Sequence, residues 1–321
     1  MIMLKYNIIA ILLKMNKYKL VVEYDGTNYS GWQAQKNARS IQGTLLDAAA
    51  EFLNVPAAAG SQFKADRGGK EDAAPAHLSI RRGADDPRQT GTRDAGKGGR
   101  MNAHWLDIQG AGRTDAGVHA LGQVAHLECE RKLNCETLRI GINDLLPAGI
   151  NVLSVENAHP RFHARHSAKS RSYLYLIAKR RTAFGKKYVW WVKDSLHTGR
   201  MKEALAVVEG FHDFTSFADK RMDKDTSTKV DLESVSLKEF GDILAIRLVG
   251  SHFLWKMVRR IVGLAVEAGR GNITTRDIEL MLRTYSEVPA QHTAPPSGLF
   301  LEKVLYDGDA LPEMRTPVCL F

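Results

Sequence analysis

Only three cysteines occur in 321 residues, too few and too widely spaced to staple a fold. Cys129, Cys135 and Cys319 make no C-x-x-C pair, which sets aside structural zinc and dithiol redox chemistry and suits a reducing, cytoplasmic setting. Long apolar runs are missing: the one near the start, Ile8 to Leu13, is far short of the roughly 18 residues that a spanning helix needs. No small-residue cleavage site follows it, so it is a poor signal peptide and no membrane is expected. Phosphate-loop signatures are missing too, since G-K-[ST] occurs nowhere and the third glycine of a G-x-G-x-x-G reading would fall on Asp115. Acidic residues are outnumbered, 36 against 45 Lys and Arg, giving a formal net charge of +9. A polyanionic partner is therefore expected, with nucleic acid the leading class.

The chain is long enough to bury a sizeable core in about two domains, or two halves of one. Residues 1–16 read as an N-terminal extension, with Met15 an alternative start, ahead of a first strand at 18–24. Ile41, Leu45, Ala49, Phe52 and Leu53 recur at helical spacing and predict a helix over 40–54 that stops before Pro56. From 57 to 103 Ala, Gly, Asp and Arg dominate and apolar periodicity is lost. Such a tract cannot offset about 1–2 kcal/mol of backbone entropy per residue, so an inserted mobile loop is expected. Beyond it, strands are predicted at 104–109, 121–129, 150–155, 170–179, 229–239, 242–249 and 299–306. Helices are predicted at 136–146, 198–209, 252–269 and 274–285. The order lacks βαβ regularity, which favours an α+β fold with antiparallel sheet.

Between two predicted strands lies Gly110-Ala111-Gly112-Arg113-Thr114-Asp115-Ala116-Gly117-Val118-His119-Ala120. Glycine reaches positive φ at little steric cost and admits close approach, so this composition suits a rigid turn presenting Arg113 and Asp115 to a bulky ligand. His119 and His126 have no further His, Cys or acid at a supporting spacing, and no metal is expected. On the predicted helix 252–269, Leu254, Met257, Val258, Ile261 and Ala265 form an apolar stripe while Lys256, Arg260 and Glu267 face away. Arg259 lies at the boundary, where its head reaches over the sheet toward a carboxylate. Tyr173 shares a strand face with Arg171, and Phe162-His163-Ala164-Arg165 is a candidate groove lining.

In their order along the chain these stretches resemble the tRNA pseudouridine synthase A family, over about Lys17 to Tyr306 with the insertion interrupting. The most specific is Gly112 to Ala120 followed by Gly122-Gln123-Val124-Ala125. Tyr24-Asp25-Gly26, Gly31-Trp32-Gln33-Ala34-Gln35, Ile41-Gln42-Gly43, Arg171-Ser172-Tyr173-Leu174-Tyr175, Met257-Val258-Arg259 and Gly298-Leu299-Phe300-Leu301 support it. The resemblance implies an isomerase that converts uridine to pseudouridine at positions 38, 39 and 40 of the tRNA anticodon stem-loop, without a cofactor. It implies two similar α+β halves, 17–169 and 170–321, that share a continuous antiparallel sheet with flanking helices and a central basic cleft, in a homodimer. Asp115 is similar to the family's nucleophile, Tyr173 to its active-site tyrosine and Arg259 to the basic partner of the aspartate. Leu299 is similar to the leucine under the target base, and Arg113 to the arginine that extrudes the nucleotide. Lys256, Arg260, Arg165 and Arg171 are further candidates for RNA contact. Trp255 and Lys256 depart from the family's common Tyr or His pair, and Arg260 stands where Asn is frequent. On this reading burial raises the Asp115 pKa, and Arg259 lowers it and keeps the carboxylate ionised. Two other readings remain open: a non-catalytic RNA-binding or RNA-folding protein, and a hydrolase that uses Asp115 and His119 with a metal.

Overall fold

A computed structural model describes residues 15–55, 106–222 and 225–317. The mobile loop expected at 57–103, the first 14 residues of the expected extension and Cys319 lie outside the described residues.

Alternating apolar residues make the strands. In β1 (Asn16–Tyr24) Tyr18, Leu20, Val22 and Tyr24 are buried at every second position, the period of a pleated strand. It pairs with β3 (His119–Cys129) on one side and β4 (Ile150–Asn157) on the other, both antiparallel. On the other side of β3 two strands share the edge. Over its C-terminal half β3 pairs with β2 (Leu106–Gly110), and at His119 and Ala120 it pairs with β11 (Leu299–Leu305). β11 continues into β5 (Ser170–Ala178), β10 (Ile243–Gly250) and β9 (Ser234–Phe240), and the short β6 (Trp190–Trp191) lies along β5. One sheet thus runs through the protein. It is antiparallel except where β11 meets β3 and where β6 meets β5, so the expected antiparallel sheet has a parallel seam at its centre. β7 (Gly210–Asp213) and β8 (Lys229–Leu232) form a separate hairpin.

Helices cover the sheet in two groups. α1 (Ile41–Leu53) is capped by Ser40, whose hydroxyl accepts from the Gly43 N–H, and ends at Asn54 in the left-handed conformation. With α2 (Cys135–Asn143) it closes a core that includes Tyr18, Leu20, Trp32, Leu45, Leu127 and Leu138. α3 (Thr198–Val207), α4 (Met257–Arg270), α5 (Thr275–Arg283) and the short α6 (Val288–Gln291) accompany a second core of Tyr175, Ile177, Phe214, Phe217, Ile246 and Ile261. The partly buried Tyr173 packs against both cores, which marks the seam between them. The alternate residues of β5, Leu174, Leu176 and Ala178, join Phe300 and Met314 in a smaller third cluster.

Three expectations need correction. The helix predicted from 252 begins at Met257, because Lys256 has φ of 64° and cannot belong to a right-handed helix. The strand predicted over 229–239 breaks between Leu232 and Ser234 into β8 and β9, which belong to different sheets. Arg260 and Glu267, expected to face away from the core, are both buried, because α4 has neighbours on nearly every side.

At the seam Arg247 of β10 and Glu302 of β11 form a buried two-pronged ion pair. Arg247 Nε lies 2.8 Å from Glu302 Oε2, and the Ser172 hydroxyl of β5 donates to the same oxygen at 2.6 Å. Three adjacent strands are therefore tied by one carboxylate. Removing one partner of a buried pair strands the other, which costs about 3–5 kcal/mol, whereas an apolar replacement of both costs far less. Glu302→Ala is expected to lower unfolding stability by about that amount in denaturant titration, and Arg247→Met/Glu302→Leu to recover most of the loss. Equal stability of Glu302→Ala and the wild type would contradict this.

Candidate active site

Residues 111–118 leave the sheet where β2 and β11, successive neighbours of β3, part company. The loop is held at almost every residue. The Ala111 N–H donates to the Val124 carbonyl at 2.7 Å, and Gln123 Nε2 to the Gly112 carbonyl at 2.9 Å. Thr114 is buried; its carbonyl accepts from the Trp32 N–H at 3.1 Å and its hydroxyl bonds the Tyr24 hydroxyl at 2.8 Å. The Gly117 N–H reaches the Tyr29 carbonyl at 3.3 Å. Gly31, at φ of 101°, is what lets the 29–32 segment come this close, since a Cβ there would collide with the Thr114 carbonyl. Val118, at the end of the loop, packs into the second core together with Leu299. Asp115 thus sits on a backbone fixed from both cores.

Its carboxylate faces a cationic wall. Arg259 Nη1 lies 3.5 Å from Asp115 Oδ2, and Arg259 Nε donates to the Ala294 carbonyl at 2.6 Å, which anchors the guanidinium. The Ala294 N–H in turn donates to the Arg259 carbonyl at 3.0 Å. The expected opposition is present, with Arg259 lowering the Asp115 pKa and burial raising it, and burial prevails. Burial raises it above the ordinary 3.8 and outweighs the opposing pull of Arg259, Lys256 and the Trp255 indole N–H. Tyr173 is brought to the same place: Phe253 packs edge-on against it at 5.0 Å between ring centroids. Burial, and next the Asp115 charge, push its phenol pKa well up, so it is protonated at neutral pH.

The other predicted residues divide. Arg113 is exposed beside Asp115, and Arg165 is exposed on its loop. Leu299 opens β11 opposite Tyr175 and is buried. Lys256 is turned to Asp219, with Nζ 2.7 Å from Oδ2. Arg171 is spent on backbone: it donates to the carbonyls of Ser251 at 2.8 Å, Arg165 at 2.7 Å and Ala111 at 3.3 Å. Arg260 is buried with its head on the carbonyls of Ser216 and Ala218, so it does not present a charge to RNA. His119 is scaffold: its Nδ1 accepts from the Gly26 N–H at 3.1 Å, its Nε2 lies 3.1 Å from the Lys187 carbonyl, and burial keeps it neutral. Among the described residues no group of three or more His, Cys, Asp or Glu could hold a metal ion.

Residues 20–167 and 204–307 match the family described as tRNA pseudouridine synthase. The chain belongs to that family. A tRNA pseudouridine synthase A of Geobacillus kaustophilus is 34% identical over 92% of this chain and 96% of its own. Its namesake in Afipia carboxidovorans is 34% identical over 91% of this chain and 100% of its own, and that of Geobacter sulfurreducens 33% over the same shares. Membership assigns no role to any side chain of this loop. It leaves the holding residues to be found by geometry. Gly31, Thr114, Tyr24 and Gln123 were legible only as parts of motifs, and nothing in their spacing says that they meet.

A carboxyl whose folded-state pKa exceeds its unfolded value favours folding below that unfolded value, about pH 3.8, and loses this as pH rises through the folded one. At neutral pH the ionised Asp115 therefore weighs against the fold. Asp115→Asn is expected to unfold at a midpoint equal to or above that of the wild type at pH 7. A clearly lower midpoint would contradict the balance described.

Proposed function

We propose that this protein isomerises uridine to pseudouridine at positions 38, 39 and 40 of the tRNA anticodon stem-loop, with Asp115 as nucleophile. The observation that carries the reading is a fixed, half-buried carboxylate 3.5 Å from an anchored Arg259, in a chain of the tRNA pseudouridine synthase family. The reaction breaks the N1–C1′ bond and forms C5–C1′; the base loses a proton at C5 and gains one at N1. Nothing is oxidised or reduced and no group is gained or lost, so the balance calls for no nicotinamide and no ATP.

The residues divide the work by their surroundings. Asp115, ionised at neutral pH, attacks C6 of the base or C1′ of the ribose, and burial makes it a better nucleophile than a hydrated carboxylate. Arg259 holds it on line and offsets part of the desolvation. The protonated Tyr173 lies against the target base and serves as a proton donor or relay. Chemistry on a base inside a helix requires its extrusion, which costs a few kcal/mol; Arg113, exposed at the rim, takes the vacated space, and Leu299 supports the base.

Two cores meeting at the seam support the division into halves at 17–169 and 170–321. No helix among the described residues is long and apolar enough to cross a membrane. A cytoplasmic homodimer completes the proposal, and sedimentation as a monomer would remove the dimer. The deciding assay is tritium release from tRNA labelled at uridine C5, because only replacement of the C5–H bond frees the label. The wild type is expected to release it, and Asp115→Asn to do so at least about a thousandfold more slowly while still binding tRNA. Undiminished release by Asp115→Asn would remove Asp115 as nucleophile, and binding without release by the wild type would favour the non-catalytic RNA-binding reading.

A further inference from the structure

Beside the Asp115 site stands a cluster to which the proposed isomerisation assigns no step. Asp219 is buried, and three cationic or N–H groups converge on its carboxylate. Arg221 donates to it from Nε at 3.0 Å, from Nη2 at 3.1 Å and from the backbone N–H at 3.0 Å, and Lys256 Nζ lies 2.7 Å away. The Asp219 N–H donates to the Trp255 carbonyl at 3.1 Å. Lys256 is a non-glycine residue at positive φ, a conformation that persists only where neighbours hold it, and here Asp219 holds both its side chain and the residue before it.

The result is a layered stack. The Arg221 guanidinium lies over the Trp255 ring, its central carbon 4.3 Å from the ring centroid. A guanidinium is planar, with an edge of donors and two faces. Asp219 takes the edge formed by Nε and Nη2, and Trp255 takes one face. The side chain is nevertheless 66% exposed, and Trp255 is 37% exposed. The stack adjoins the Asp115 site: Trp255 and Lys256 directly precede α4, whose Arg259 lies 3.5 Å from Asp115, and the Trp255 indole N–H and Lys256 both favour the ionised Asp115.

We infer that the open face of Arg221, laid on Trp255 and locked by Asp219, is a preformed stacking platform for an unpaired RNA base next to the uridine presented to Asp115. The inference rests on the proposed RNA substrate. Stacking is favoured over a phosphate contact because the Asp219 carboxylate already holds Nε and Nη2 and offsets the guanidinium charge, whereas the free face is what a flat nucleobase recognises. Preorganisation by Asp219 removes the entropic cost of ordering a long side chain at the moment of binding.

The test uses the full chain and a tRNA anticodon stem-loop, intact or with an abasic nucleotide on either side of the target uridine. Affinity is measured across a salt series for the wild type, Arg221→Lys and Arg221→Ala. Arg221→Lys keeps the charge and loses the plane. Both variants are expected to bind intact RNA about tenfold more weakly, with Arg221→Lys keeping the wild-type salt slope. The wild type is expected to lose a similar factor on one of the abasic RNAs, where all three proteins then bind alike. Wild-type affinity in Arg221→Lys, with a salt slope reduced by about one in Arg221→Ala, would mean a phosphate contact and overturn the platform. So would a variant defect that persists on both abasic RNAs. Absence of pseudouridine formation by the wild type would count against the proposed function instead, and the binding comparison would still decide the platform.

Discussion

The contact on which the site depends is the backbone hydrogen bond from Trp32 to the Thr114 carbonyl, possible only because Gly31 lacks a side chain and adopts positive φ. It fixes the residue immediately before Asp115. Around it the Tyr24 hydroxyl, the Tyr29 carbonyl and the Gln123 amide close the loop from one half, while Val118 and the Ala294-bound Arg259 fasten it from the other. A reactive side chain on a loop is normally mobile. Here the loop inherits the rigidity of two cores, as a preorganised site must if reorganisation is not to be repeated in every turnover.

The electrostatics follow from the same placement. Emerging at the parallel seam of β3 and β11, Asp115 is deep enough for desolvation to raise its pKa, and Arg259 opposes this without cancelling it. The ion pair is loose, at 3.5 Å with one nitrogen, because the guanidinium is also committed to the Ala294 carbonyl. A tight two-pronged pair would sequester the carboxylate. The contrast within the same sheet is Arg247 and Glu302, buried, two-pronged and structural. Proximity of Arg to acid is common to both; the geometry differs, one-pronged and partly exposed at Asp115, two-pronged and buried at Glu302.

Much of this was readable in the chain, and the reasons differ by residue. Asp115 stood out because acid, arginine and glycines in one short stretch make little sense as a core or as a solvated face. Arg259 was placed correctly because its position between stripe and edge survives the later start of the helix. Arg260 and Glu267 were misread because the expectation of one buried face fails for α4: Gly263 admits the 292–294 segment, and Arg260 finds carbonyls at Ser216 and Ala218. The left-handed Lys256, the parallel seam and the clasp of 29–32 on 114 carry no local signal. They arise from pairings distant in sequence, which periodicity does not report. The short elements β6, β7 and α6 escaped for the simpler reason that two to four residues show no period.

The central claim is that a carboxylate balanced between burial and Arg259 does the chemistry. It is tested most directly by the pH dependence of single-turnover pseudouridine formation in the wild type and in Arg259→Met. The account predicts an acidic limb above pH 3.8, the ordinary carboxyl value, because the nucleophile must ionise. Loss of Arg259 removes the largest pull toward the ionised form and should move that limb to higher pH. A limb that stays where it is in Arg259→Met, or a rate that does not fall with acid, would contradict it.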